Sequence, residues 1–150
     1  MIKRFSKTQV ITDKFGSKRS YGGHRGVDLR SRRFKQGKGF VERWALQPVI
    51  CPEDCEVLRF GIDRKGNHYI VVCPEESEYE ELKFIHIRWT IDPAIGLLLR
   101  KGQKIGYTEL AGSSRAHHLH FEVWSEGEPD DPVNYFEEMG IKYKHKRDMK

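Results

Sequence analysis

The chain lacks an apolar run of membrane-spanning length, which takes about 20 consecutive apolar residues. Its Met1-Ile2-Lys3-Arg4 start leads into Phe5-Ser6-Lys7-Thr8-Gln9 rather than into the hydrophobic segment of a signal peptide. Membrane insertion and simple secretion are therefore not expected. Cysteine is scarce: Cys51, Cys55 and Cys73 are odd in number, which excludes an all-disulfide scaffold. Cys51 and Cys55 are metal-capable, but no Cys-x-x-Cys pair accompanies them, and the favoured reading is three structural thiols in a protein made in a reducing compartment. Also missing are internal repeats, low-complexity linkers, a helix-turn-helix, a zinc finger and an aromatic RNA platform. No specific nucleic-acid partner is expected.

What is present suits one sheet-based domain. At 150 residues the chain has the length of a single domain and can bury a sizeable core. Hydrophobic residues at 37% and charged residues at 33% leave enough apolar material for that core under a wet surface. The formal charge of +5 favours encounter with a polyanion such as cell wall, nucleic acid or acidic membrane. Basic residues cluster at Arg25 to Lys38 and in the tail Lys142 to Arg147, and solvated surface charge is the plain explanation for either cluster.

Short β-prone runs at Val49 to Cys51, Glu56 to Phe60, Tyr69 to Val72, Lys83 to Arg88 and His118 to Trp124 are separated mostly by Pro52-Glu53-Asp54, Asp63 to Asn67 and Pro74 to Ser77. The pattern predicts an antiparallel β fold. One late helix is expected, with Asp131 as N-cap, Pro132 in the first turn and Gly140 as the stop. Residues 30–45 read as an irregular basic loop and 141–150 as a loose basic tail.

His24 and Asp28 in Gly22-Gly23-His24-Arg25-Gly26-Val27-Asp28-Leu29, with His117-His118-Leu119-His120-Phe121-Glu122 near the other end, have the residue types of a metal site. On an extended strand His118 and His120 share one face while Leu119, Phe121 and Val123 face the core. Two His and one Asp satisfy a catalytic zinc centre, which leaves its fourth tetrahedral position to water. Glu122 shares the face of His120 and is read either as a group orienting that ligand or as a salt-bridge partner. His117 points to the opposite face, as a neighbour of the cleft or a bystander. His68, in a turn, and His145, in the tail, are not favoured.

These residues resemble the M23 family of zinc metallopeptidases, which includes lysostaphin-like and LytM-like peptidoglycan endopeptidases. Five segments occur in the family order over about residues 10–136. Phe15-Gly16 with His24 to Leu29 resembles the opening segment, and Gln47-Pro48-Val49-Ile50-Cys51-Pro52-Glu53-Asp54-Cys55-Glu56-Val57 resembles the Pro-Val-x-Ala-Pro-x-x-Gly-x-Val hairpin. Phe84-Ile85-His86 is similar to the family's Tyr-x-His, and Lys101 to Gly106 to the stretch before its final His-Leu-His. The resemblance implies a mainly β fold, a small antiparallel sheet or sandwich of the LytM/lysostaphin type, with a groove over the sheet and a short C-terminal helix.

It further implies one Zn²⁺ per chain held by His24, Asp28 and His120, with His86 and His118 as the catalytic histidines. The implied activity is hydrolysis of peptide bonds in the stem or cross-bridge of bacterial peptidoglycan by a monomer. The expected setting is a protein made in the cytoplasm and acting at the cell wall, released at lysis or carried on a virion, as a phage lysin would be. Two departures from the family pattern bear on specificity: Ala111 to Ala116, with Arg115, replaces a Gly-rich run, and the basic stretch 30–45 replaces a short apolar link. The rival readings are a LytM-like binding or regulatory module and a basic nucleic-acid-binding β protein.

Overall fold

The computed structural model describes residues 1, 8–19, 22–30, 33–36, 39–42, 47–109 and 118–146. In chain order the elements are β1 (Gln9–Asp13), β2 (Lys18–Arg19), β3 (Gly22–Gly23), β4 (Val27–Arg30), β5 (Arg33–Gln36), β6 (Gly39–Glu42), β7 (Pro48–Ile50) and β8 (Cys55–Ile62). There follow β9 (His68–Pro74), β10 (Glu81–Ile85), β11 (Ile87–Trp89), β12 (Leu98–Leu99), β13 (Lys104–Thr108), β14 (His118–Ser125), β15 (Glu128–Asp130), α1 (Pro132–Met139) and β16 (Tyr143–His145). The main sheet runs β12-β8-β9-β10-β14-β4-β1-β16, with β15 beside β14, and a smaller sheet runs β11-β13-β7. Among the described residues the fold is mainly β, with largely antiparallel pairing and one short helix near the C-terminus, as the sequence pattern predicts.

The main sheet is two-faced because its central strands alternate. On β14 Leu119, Phe121 and Val123 are fully buried, and on β10 Leu82 and Phe84 are, while Lys83, His118 and His120 on the other face keep partial exposure. The buried face packs under α1, whose Phe136 ring stacks on Phe121 with centroids 5.9 Å apart and Tyr135 sits 5.7 Å from the same ring. The opposite face carries the polar and imidazole residues, so the core and the candidate site lie on opposite sides of the same strands.

The helix ends as expected. Asp131 accepts a hydrogen bond from the Val133 amide at 3.0 Å, and Gly140 closes the helix in the left-handed conformation at φ 68°. The expected hairpin at residues 47–57 does not form, because β7 pairs with β13 in the smaller sheet and β8 with β9 in the main one. The turn between them is fixed by Glu53, whose side chain is wholly buried and accepts from the Glu76 and Ser77 amides at 2.8 and 3.0 Å and from the Tyr135 hydroxyl at 2.7 Å. Cys51 and Cys55 are buried at this turn with their sulfurs in contact, and Cys73 is half-exposed.

Three further expectations need correction. The run Lys83 to Arg88 is not one strand: it breaks at His86, which has φ 67°, and β11 departs into the smaller sheet. The stretch 30–45 is not wholly irregular, since β5 and β6 pair as an antiparallel hairpin within it. The tail is not all loose either. Tyr143 to His145 pairs in parallel with Gln9 to Ile11, an arrangement periodicity does not reveal because both segments are short and lie far apart in the chain. Among the described residues no helix is long and apolar enough to cross a membrane.

Candidate metal centre

Strand register builds the centre. β14 pairs with β4 so that His120 stands opposite Asp28, and directly opposed residues of an antiparallel pair project from the same face. His24 lies four residues before Asp28, in the turn that feeds β4. Gly26 lets that turn approach: a Cβ there would collide with the Phe121 carbonyl oxygen and come within 2.9 Å of Glu122 Cγ.

Three side-chain atoms then converge. His24 Nε2 lies 3.1 Å from His120 Nδ1 and 3.4 Å from Asp28 Oδ1, and His120 Nδ1 lies 3.1 Å from Asp28 Oδ1. A tetrahedral zinc with bonds of about 2.0–2.1 Å needs its ligand atoms about 3.4 Å apart. The triangle therefore already has the edge lengths of one face of such a tetrahedron. Among the described residues these three form the group able to hold a metal ion.

The remaining ring nitrogens are occupied in a way that leaves the converging ones available. His24 Nδ1 donates to the Lys14 carbonyl at 3.0 Å, which leaves Nε2 as the lone-pair atom. His120 Nε2 donates to Glu122 Oε2 at 2.7 Å, and the other oxygen of Glu122 accepts from Trp124 Nε1 at 2.6 Å. Such carboxylate and carbonyl partners hold metal-ligating histidines in orientation and tautomer. The donor chemistry suits zinc.

Charge balance without a metal has the same logic. Burial opposes a charge on His120, but the hydrogen bonds to Asp28 and Glu122 outweigh it and raise its pKa to about 9. Burial likewise opposes ionisation of Asp28, yet the bonds to His120 and His24 hold its carboxyl well below the usual carboxylate range. A proton on His120 thus occupies the position that a cation would take.

His118 and His86 border the triangle. His118 Nε2 is 3.7 Å from Asp28 Oδ1, and the His118 and His86 ring centroids are 4.7 Å apart. In an unbroken β10 strand His86 would project to the side of Phe84, into the core. The left-handed backbone at His86 instead brings its ring against His118. Burial, then the positive charges of His118 and His120, lower its pKa to about 4, and its Nδ1 has no hydrogen-bond partner among the described residues.

All five residues singled out from the sequence are thus assembled in one place. Glu122, read from the sequence with two alternatives, takes the orienting position. His68 reads from the sequence as a turn residue outside the site, but it opens β9, its side chain bonds to Glu109, and its carbonyl accepts from the His86 amide at 2.9 Å. No local pattern marks it, because its partner Glu109 lies 41 residues away in the chain. His117 and Arg115 lie outside the described residues.

No family model and no curated protein matches the chain. Solved structures do match. Lysostaphin, the antimicrobial peptidase of Staphylococcus simulans, superposes with a TM-score of 0.68 and 19% identity, over 93% of this chain and 54% of that one. A zinc-containing peptidase from Vibrio cholerae matches with a TM-score of 0.61 and 24% identity, over 87% of this chain and 39% of that one. The catalytic domain of the prophage-encoded M23 protein EnpA from Enterococcus faecalis matches with a TM-score of 0.60 and 19% identity, over 89% of this chain and 96% of that domain. The chain thus spans well under half the length of the Vibrio peptidase and nearly all of the Enterococcus domain. At these identities the likeness is one of fold, and the fold is that of lysostaphin and the M23 peptidases.

Proposed function

We propose that this chain is a zinc-dependent endopeptidase that hydrolyses peptide bonds in the stem or cross-bridge of bacterial peptidoglycan. One observation carries the reading: the His24, Asp28 and His120 atoms are spaced for three corners of a zinc tetrahedron, and two further histidines border them. Zinc held there would lower the pKa of its water to about 7 and polarise the scissile carbonyl.

The chain's own groups supply the rest. His86 is neutral at pH 7, with a pKa lowered to about 4; it can accept the proton of the attacking water and return it to the leaving amine. His118, against His86 and near Asp28, can donate a hydrogen bond to the tetrahedral oxyanion. Peptidoglycan is favoured as substrate by the five segments resembling wall peptidases, by the lysostaphin-like fold, and by a net charge of +5 suited to an anionic wall. The place of action is the cell wall, reached on lysis or on a virion.

The test is release of new amino termini from purified peptidoglycan by wild type, by chelated and zinc-restored protein, and by His120→Ala. Cleavage that needs zinc and drops at least about 100-fold in the variant is expected, and product masses would name the bond. Zinc binding without cleavage of any wall type would remove peptidoglycan as the substrate, and absence of zinc binding would remove the metal centre.

A further inference from the structure

His86 is one of two non-glycine residues with positive φ among the described residues, and the conformation that brings its ring to His118 is one that L side chains rarely adopt. Such a conformation persists only where the surroundings hold it. At His86 they hold it from both sides. Its amide donates to the His68 carbonyl at 2.9 Å, and its carbonyl accepts from the Glu109 amide at 3.0 Å. The same two residues are joined through their side chains, His68 Nδ1 to Glu109 Oε1.

The location gives that pair its consequence. His68 opens β9 in the main sheet, whereas Glu109 follows Thr108, the end of β13 in the smaller sheet. His86 is the residue at which the chain passes from one sheet to the other, between Ile85 and Ile87. The His68–Glu109 bond therefore spans the two sheets where His86 crosses between them. Trp89 backs it, its ring edge-on to His68 at 5.3 Å and to Phe60 at 5.6 Å.

We propose that His68 and Glu109 are positioning residues, a clasp that fixes the left-handed backbone of His86 and so holds its imidazole against His118. As a statement about catalysis this rests on the peptidase reading above. As a statement about conformation it does not. Neither residue touches the metal triangle, so the clasp acts on turnover through His86 rather than on zinc binding.

The experiment uses the full chain with zinc bound. Glu109→Ala should lower kcat for wall-peptide cleavage on the order of 10- to 100-fold, the size of effect expected when a catalytic group is misplaced by about 1 Å. KM and zinc affinity should stay within about twofold, since binding contacts and ligands are untouched. Glu109→Gln keeps an oxygen to accept from His68 and should restore most of the activity. Wild-type kcat in Glu109→Ala, or loss of kcat in step with zinc affinity and melting temperature, would overturn the clasp.

A second arm does not need activity. In nitrogen-correlated NMR spectra of the metal-free protein, the His86 ring should give one sharp signal set in wild type and in Glu109→Gln, and shifted or broadened signals in Glu109→Ala. Coincident His86 signals in wild type and Glu109→Ala would overturn the clasp whatever the activity. A wild type that cuts no peptide, with His86 signals that do respond, would instead count against the peptidase reading alone.

Discussion

His120 has a carboxylate at each ring nitrogen, Asp28 at Nδ1 and Glu122 at Nε2, at 3.1 and 2.7 Å. The two bonds have different uses. The Asp28 side is where a metal would displace a proton, whereas the Glu122 side orients the ring and raises its basicity. Removing Glu122 should therefore weaken zinc without removing a ligand. Glu122→Ala is expected to raise the zinc Kd by about 10- to 100-fold in competition with a chelator. The same titration has a pH dependence of definite sign. With its folded pKa raised to about 9, protonated His120 stabilises the metal-free fold fully below its unfolded value near 6.5, and that contribution fades as pH rises through about 9. Zinc competes with this proton, so affinity should increase by about tenfold per pH unit from 7 to 9 and then level off. Affinity independent of pH across that window would show that no proton is displaced from His120.

Among the elements, β4 and β14 matter most, because their pairing brings one ligand opposite another. Their close approach depends on Gly26, where a methyl group would meet the Phe121 backbone. Gly26→Ala should cost about 1–3 kcal/mol in urea unfolding through forced displacement, and it should weaken zinc binding as well because β4 carries Asp28. A variant that loses stability and keeps full zinc affinity would mean that the turn moves independently of β4. The break between β10 and β11 shows the limits of reading elements from pattern. Lys83 to Arg88 is rich in strand formers, and periodicity continues it as one strand. The positive φ at His86 comes from hydrogen bonds to residues 18 positions earlier and 23 later, which no local window contains. The parallel pairing of β16 with β1 is invisible for the same reason.

Over the whole molecule, Glu53 ties the turn after β7 to the turn between β9 and β10 and to α1. Its partners are two buried or half-buried amides and a phenol wholly inside the core. Glu53→Ala would leave them without an acceptor, at about 1–3 kcal/mol for each group left unsatisfied. The expected result is a fall of at least ~2 kcal/mol in unfolding free energy with zinc affinity of the folded protein unchanged, since the turn lies away from the triangle. If instead zinc affinity fell in step with stability, the centre would depend on the whole core rather than on β4, β14 and the turn before β4.

Much of the molecule was legible in the residues themselves. Alternation made β14 readable because Leu119, Phe121 and Val123 need a core and His118 and His120 do not. The α1 boundaries were readable because Asp131, Pro132 and Gly140 act locally. Residue types and spacing singled out His24, Asp28, His118 and His120, and the resemblance to the M23 peptidases added His86. What only the tertiary structure decided is distance. The register that places Asp28 opposite His120, the bonds that orient both ligand rings, and the clasp around His86 all join positions far apart in the chain. Such contacts follow from how sheets pair and cross, and a one-dimensional pattern carries no measure of that.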